Sequence, residues 1–242
     1  VILHEGWASF NDSNTVYVRE TDAARDVAEF KIKSMQSAGS RYRDLEKAAK
    51  SGYVHSLYTS YELIDKEFKR YQEQGVKWES ASEINELPFK FEALPEERGM
   101  GGTLNISFLT FGDKYSKSGF VYNKNTNSYD RIIVGKEDID AVNNKRVSPK
   151  NVVIEWHDYR PANDGYARLI INMIGEGKLT IYRDGKEIEG MWKKKDKTSR
   201  TEYFDNNNNP IELNRGQIWK TVVFTSGGKE VSKVTYTPNE KS

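Results

Sequence analysis

Cysteine is absent from all 242 residues, which removes disulfides, thiolate nucleophiles, zinc ribbons and iron–sulfur clusters together. Histidine occurs only at His4, His55 and His157, too few and too scattered for their spacing to argue a zinc site. No apolar run approaches the roughly 18 residues that a membrane-spanning helix needs. The start lacks the charged flank of a signal sequence. Net charge is scarce too: 37 Lys and Arg against 36 Asp and Glu leave +1, so no general attraction to nucleic acid or anionic lipid is expected. Aromatic residues, at 12%, supply the burial area that keeps a chain with 30% charged residues globular.

The densest turn grammar runs from 179 to 219. Asp184-Gly185 separates LTIY from KEIEGMW, and an Asp-Gly pair accepts the positive φ angles of a type I′ hairpin turn. Downstream, residues 205–210 form a run of side chains that bond their own backbone, closed by proline, which predicts a longer loop. Asn214-Arg215-Gly216 then leads into GQIWKTVVF, and Ser226-Gly227-Gly228 turns that strand into KEVSKVTY. These signals predict a central antiparallel meander with three or four hairpins.

VILHE predicts a short buried strand, and TVYVR a second. A chain that opens within a strand is expected to be part of a longer protein. Thr21 or Asp22 caps a predicted helix to about Ala38, and DLEKAAK predicts a short helical turn ended by Gly52. Thr59 and Glu62 have the spacing of a capping box. Behind it, Leu57, Tyr61, Ile64, Phe68 and Tyr71 predict one buried helix face that ends at Gly75. Pro88, Pro95 and the glycines 99, 101 and 102 interrupt regular structure and suggest a boundary, with a helix-bearing N-terminal part over 1–95 and a mainly antiparallel β domain over 96–242. Beyond it TLNISFLTF, SGFVYNKNTNSYDRIIVG, NVVIEW and YARLIINMIG read as strands. YARLIINMIG is nearly all apolar, so it is expected to be a central strand covered on both faces. The fold class is α+β: a small helix-containing part packed on a larger antiparallel β barrel or sandwich.

In motif order over most of its length the chain resembles the YerB-like bacterial lipoproteins, a family of unknown function. FVYNKNTNSYDRIIVGKEDIDA is similar to the family's F-x-Y-D, turn, Y-x-R and N-G-x-x-H-x-D segment, and SPKNVVIEW to its N-V-V-V strand. GEGKLTIYRDGKEIEGMWKK and IELNRGQIW resemble its D-G-x-x-x-x-G-x-W and L-N-P-G-x-x-W motifs. YVHSLYTSYELI resembles A-P-H-N-L-Y-T-S, and LHEGWAS resembles V-H-x-G-G-S. Asp138, Ser56, Val54 and Arg215 depart from the pattern, and Trp7 and Ala8 replace small residues. The resemblance implies a lipid-anchored protein on the outer face of a bacterial membrane. The lipid-modified cysteine and the start of the first domain do not occur in this sequence. It implies no activity, but it draws attention to His4, Ser9 and His55 as polar motif positions.

Ser9, His55 or His4, and Glu5 could be assembled into a hydrolytic triad, yet no G-x-S-x-G elbow accompanies them. A calcium hand starting at Asp205 fails, because Pro210 and Gly216 stand where glycine and a bidentate glutamate belong. Lys193 to Lys195 reads as a solvated guard on a strand edge. Trp156, Tyr182, Trp192 and Trp219, with Tyr203 and Tyr236, fall on predicted strands and could receive a sugar or peptide, or fill the core. The sequence therefore favours a non-enzymatic module for an envelope protein or peptidoglycan, bound in a groove between the two parts. A wall hydrolase using His4, Ser9 and His55, or a scaffold acting through a sheet edge, are the alternatives. No cofactor and no metal are expected, nor nucleic acid, and membrane attachment only through a lipid anchor.

Overall fold

The computed structural model describes residues 42–75, 88–108, 117–140, 143–163, 165, 169–195 and 200–240. The strands expected at VILHE and TVYVR and the helix expected over 21–38 lie outside these. The chain divides into two compact units, 1–85 with 196–200 and 86–195 with 201–242.

In the first unit, β1 (Tyr42–Arg43) pairs antiparallel with β2 (Leu57–Tyr58), and α1 (Leu45–Ser51) lies between them in sequence. Asp44 caps α1 by accepting from the Lys47 N–H, and Gly52 closes it at φ 94°, a conformation that glycine adopts without a Cβ penalty. Helix α2 (Tyr61–Glu73) starts one residue later than the sequence suggested. Its cap is Ser60, whose hydroxyl accepts from the Leu63 N–H, and Glu62, in the first turn, is held below the usual carboxylate range by its bond with Ser60. Tyr61, expected on the buried face, is exposed. The buried α2 side chain is instead Glu67, which takes two hydrogen bonds from Arg70.

The second unit contains β3 (Phe89–Lys90), β4 (Gly102–Phe108), β5 (Lys117–Asn123), β6 (Ser128–Ile133), β7 (Lys136–Glu137), β8 (Asn151–Pro161), β9 (Leu169–Ile171), β10 (Gly175–Arg183), β11 (Lys186–Lys194), β12 (Glu202–Asp205), β13 (Leu213–Asn214), β14 (Ile218–Ser226), β15 (Lys229–Glu230) and β16 (Ser232–Pro238). One sheet runs β12-β11-β10-β8-β14-β15 with β9 paired to the end of β8, and another runs β16-β4-β5-β6-β7. With the two helices of the first unit, this is an α+β protein dominated by strands. Segment 86–95 groups with the strands: Phe89 and Lys90 pair with Leu213 and Asn214.

The predicted meander is β10-β11-β12. Asp184 and Gly185 have φ 52° and 66°, and the register Arg183↔Lys186 leaves them as a two-residue turn. The following strand departs from the sequence expectation. Instead of extending the meander, β14 crosses the sheet and lies parallel to β8, from Ile218↔Asn151 to Thr225↔Asp158. The mainly antiparallel unit thus has parallel pairing at its centre. β8 is the central strand, buried without interruption from Asn151 to His157. YARLIINMIG is not central: β9 is three residues long and Ile170 is exposed. Leu169–Ile171 pair with the end of β8, beyond its buried part. Lys194, expected as part of a solvated edge, is buried.

Alternation along β8 divides two cores. Val152, Ile154 and Trp156 join Leu104, Ile106, Phe120, Tyr122, Tyr129, Tyr182 and Val223 between the two sheets. Val153 on the opposite face joins Leu179, Ile181, Trp192, Tyr203, Ile211 and Leu213.

The hairpin turn at Asp184 is itself buried. Its Oδ1 accepts from Asn127 Nδ2 at 2.8 Å, Asn214 Nδ2 at 2.6 Å and the Ala93 N–H at 3.3 Å, and Lys90 Nζ lies 3.5 Å from Oδ2. Burial pushes the carboxyl up, but these donors outweigh it and hold Asp184 below the usual carboxylate range. Asn127 also accepts from the Tyr122 hydroxyl at 2.8 Å. Asn214 and Asn151 exchange a further pair of bonds, each at 2.8 Å. Replacing Asp184 with alanine strands the two amides and Lys90 together. We expect a loss of about 3 kcal/mol or more in urea unfolding followed by tryptophan fluorescence, in the range for breaking a buried charged network.

Candidate functional site

On the second face of β8 the residues after Val153 are Glu155 and His157, charged side chains at strand spacing in the middle of a buried strand. Both are wholly buried, so their polar atoms require partners. Glu155 Oε1 accepts from the Tyr203 hydroxyl at 2.7 Å and lies 3.1 Å from Lys220 Nζ. Glu155 Oε2 lies 2.9 Å from His157 Nε2. His157 Nδ1 is 2.8 Å from the Asn172 carbonyl oxygen. A carbonyl only accepts, so Nδ1 carries a proton. Burial pushes the Glu155 carboxyl up, yet His157, Lys220 and Tyr203 outweigh it and keep it below the usual range.

The imidazole stacks on Trp192 with centroids 4.1 Å apart and planes 17° from parallel, and Trp192 Nε1 donates to the Trp156 carbonyl at 2.9 Å. Gly177 faces Trp192 across the β10–β11 ladder. A Cβ on Gly177 would stand 2.6 Å from the indole nitrogen, so glycine makes room for the ring. The network is therefore a brace: each imidazole nitrogen is engaged by an oxygen, Nδ1 by the Asn172 carbonyl and Nε2 by Glu155, and the stack fixes the tryptophan.

What the brace supports is an open groove of about 410 Å³ at the end of the sheet, lined by Trp156, Asp158, Asn172, Lys178, Trp192 and Glu230 among others. Asn172, which holds His157, and Trp192, which stacks on it, are part of this wall. Gly175, Gly177 and Gly228 also line it, and a Cβ at Gly175 or Gly228 would meet nothing within 4 Å. Lys178 Nζ lies 4.5 Å from the Trp156 ring centroid and 3.0 Å from Glu230 Oε1. Thr225 donates to Asp158 at 3.2 Å. Aromatic, amide and carboxylate groups around a glycine-lined hollow can stack on an apolar face and accept from hydroxyl or ammonium groups.

Of the side chains singled out in the sequence, Trp156 and Trp192 meet at this groove. Tyr182 lies in the core between the sheets, its ring tilted against Tyr236 with centroids 4.9 Å apart and its hydroxyl donating to Glu187. Trp219 packs on the same core, 6.0 Å from Phe120, with the Arg131 guanidinium 4.1 Å above it. Asp138 pairs with that same Arg131. Tyr182 and Trp219 therefore stand apart from the groove. His4 and Ser9 lie outside the described residues, as does the side chain of His55, whose backbone forms part of the short turn Tyr53–Ser56. Among the described residues no group of three or more His, Cys, Asp or Glu is arranged to hold a metal. Glu155, Asp158, Lys178 and Asn172 were not singled out in the sequence. The available signal was the pair of charged letters two apart within NVVIEWHD.

A carboxyl whose folded-state pKa is depressed stabilises the fold above its unfolded value, 4.5 for glutamate, and that stabilisation is lost as pH falls through the folded value. Glu155→Gln should therefore cost about 2–4 kcal/mol near neutrality. The difference from wild type should narrow as pH falls below 4.5, read from urea midpoints across an acid series.

Residues 108–219 match the C-terminal domain of a protein family of unknown function, DUF3048. Among solved structures, the crystal structure of the YerB protein from Bacillus subtilis aligns with a TM-score of 0.65 at 18% identity, covering 88% of this chain and 67% of that one. At that identity the likeness is one of fold. No curated protein matches the chain. Residues 108–219 thus match a C-terminal domain whose function is unknown, and the chain as a whole shares its fold with the YerB protein.

Proposed function

We propose that this chain is an extracytoplasmic binding module of the bacterial envelope, tethered to the membrane by a lipid anchor, and that its ligand is the cell-wall polymer. It works by holding its ligand rather than by transforming it. The observation that carries this reading is the groove around Trp156, where an aromatic ring, a backbone stripped of side chains and several carboxylates face one hollow. Sugar rings and short peptides offer the matching chemistry: flat C–H faces for the ring, with hydroxyl and amine hydrogens for the carboxylates. The histidine beside it serves the same end, because both its nitrogens are spent in holding Asn172 and Glu155. The family resemblance supports the location.

Co-sedimentation of the chain with isolated peptidoglycan tests this. Wild type should pellet saturably. Glu176→Lys, an exposed change at the groove wall, should weaken binding by about tenfold or more, equivalent to roughly 1.4 kcal/mol, with an unchanged melting curve. Wild type that stays in the supernatant overturns the wall polymer as ligand and turns the search to envelope proteins. Release of soluble wall fragments by the chain overturns the non-enzymatic reading.

A further inference from the structure

Lys178 sits in the groove as a ligand would. Its ammonium lies 4.5 Å from the centroid of the Trp156 ring and 3.0 Å from the Glu230 carboxylate, the two partners that an ammonium group seeks in an aromatic and acidic site. Yet the side chain is 53% exposed and Glu230 is 51% exposed, so the contact is a solvent-facing one that a long, flexible stem can leave. Among the described side chains lining the groove Lys178 is the one cation, against Asp158, Glu176 and Glu230. Once it swings away, the hollow presents three carboxylates beside the part of the Trp156 ring that Lys178 overlies.

Trp156 adds an independent observation. The residue is 6% exposed, and its indole N–H is buried with no acceptor in the protein. Nearly all buried indole donors are satisfied. A ligand that carries an ammonium beside a carbonyl would supply the cation for the ring and carboxylates and the acceptor for this donor.

We propose that Lys178 is a built-in plug, its ammonium holding the place that a primary amine of the ligand takes on binding, so that the groove selects peptides with a free amine. This rests on the wall-polymer reading, since the peptide part of such a polymer is where free amines occur. Binding then exchanges one ammonium for another. The affinity of wild type is reduced by the fraction of time the plug is in place. The plug also acts as a filter, because neutral ligands gain nothing from displacing it.

The test uses the full chain, wild type and Lys178→Met, titrated with a short synthetic peptide containing one lysine and with the same peptide acetylated at Nε. Lys178→Met should bind the free-amine peptide about tenfold more tightly than wild type, the change expected if the plug is seated nine-tenths of the time. Acetylation should abolish binding to both. Equal affinities of the two proteins for the free-amine peptide, or equal binding of the acetylated one, overturn the plug. Peptidoglycan binding that is indifferent to Lys178→Met overturns the plug and leaves the wall-polymer reading in place. Amine-selective peptide binding with no peptidoglycan binding does the reverse.

Discussion

A carboxylate at the tip of a hairpin ordinarily faces water, but in this protein it is buried, and much of the β unit is arranged to satisfy it. Asp184 is held below the usual carboxylate range by amides from the β5–β6 turn and from β13, by the backbone of the segment leading into β4, and by Lys90. Each donor is fixed in turn. Asn127 is held by Tyr122 from β5, and Asn214 by Asn151 at the start of β8. The hairpin is thus a junction where β3, the β5–β6 turn, β8 and β13 are referred to one point. Such a junction suits an unpaired charge poorly and a fully paired one well, because low dielectric strengthens every contact it permits.

The second buried carboxylate, Glu155, does for the far end of the sheet what Asp184 does for the near end. Between them β8 runs buried for seven residues. The polar groups mark where the strand meets other elements: Asn151 receives Asn214, and His157 receives Asn172 and stacks on Trp192. The groove follows from this arrangement. Where the bracing ends, the side chains of β8 and β10 become Asp158, Glu176 and Lys178, and the hollow between the strands opens to solvent. Rigid backing behind an open wall is the usual requirement for holding a ligand in one pose.

Much of the fold was legible in the sequence. The Asp-Gly signal at 184–185 specified both the turn and its register, because few residue pairs accept positive φ twice in succession. Gly52 likewise marked the end of α1. Misreadings arose where tertiary context outweighed local pattern. Counting apolar letters favoured YARLIINMIG over NVVIEWH as the central strand, since a buried strand is expected to lack Glu and His. Those letters became acceptable only through partners 15 to 65 residues away, Asn172, Tyr203 and Lys220. Nothing in GQIWKTVVF distinguishes a strand that extends a meander from one that crosses to lie parallel to β8. Adjacent hydroxyl residues at 59 and 60 left the cap of α2 ambiguous by one position. At the groove, the tryptophans were visible as aromatics on strands, but their convergence depends on the absence of a side chain at Gly177, which pattern reading treats as a gap.

The strand pairing of the C-terminal segment bears on how the protein is made. β16 pairs with β4 along its full length, Ser232 opposite Phe108, and β14 completes the far side of β8. Both interior strands therefore wait for partners encoded more than sixty residues later. Until β14 and β16 are made, β4 and one edge of β8 lack these partners, and loop closure over such spans is slow. A chain in this condition exposes unpaired strand edges, so closure of the β unit is a late step of its folding.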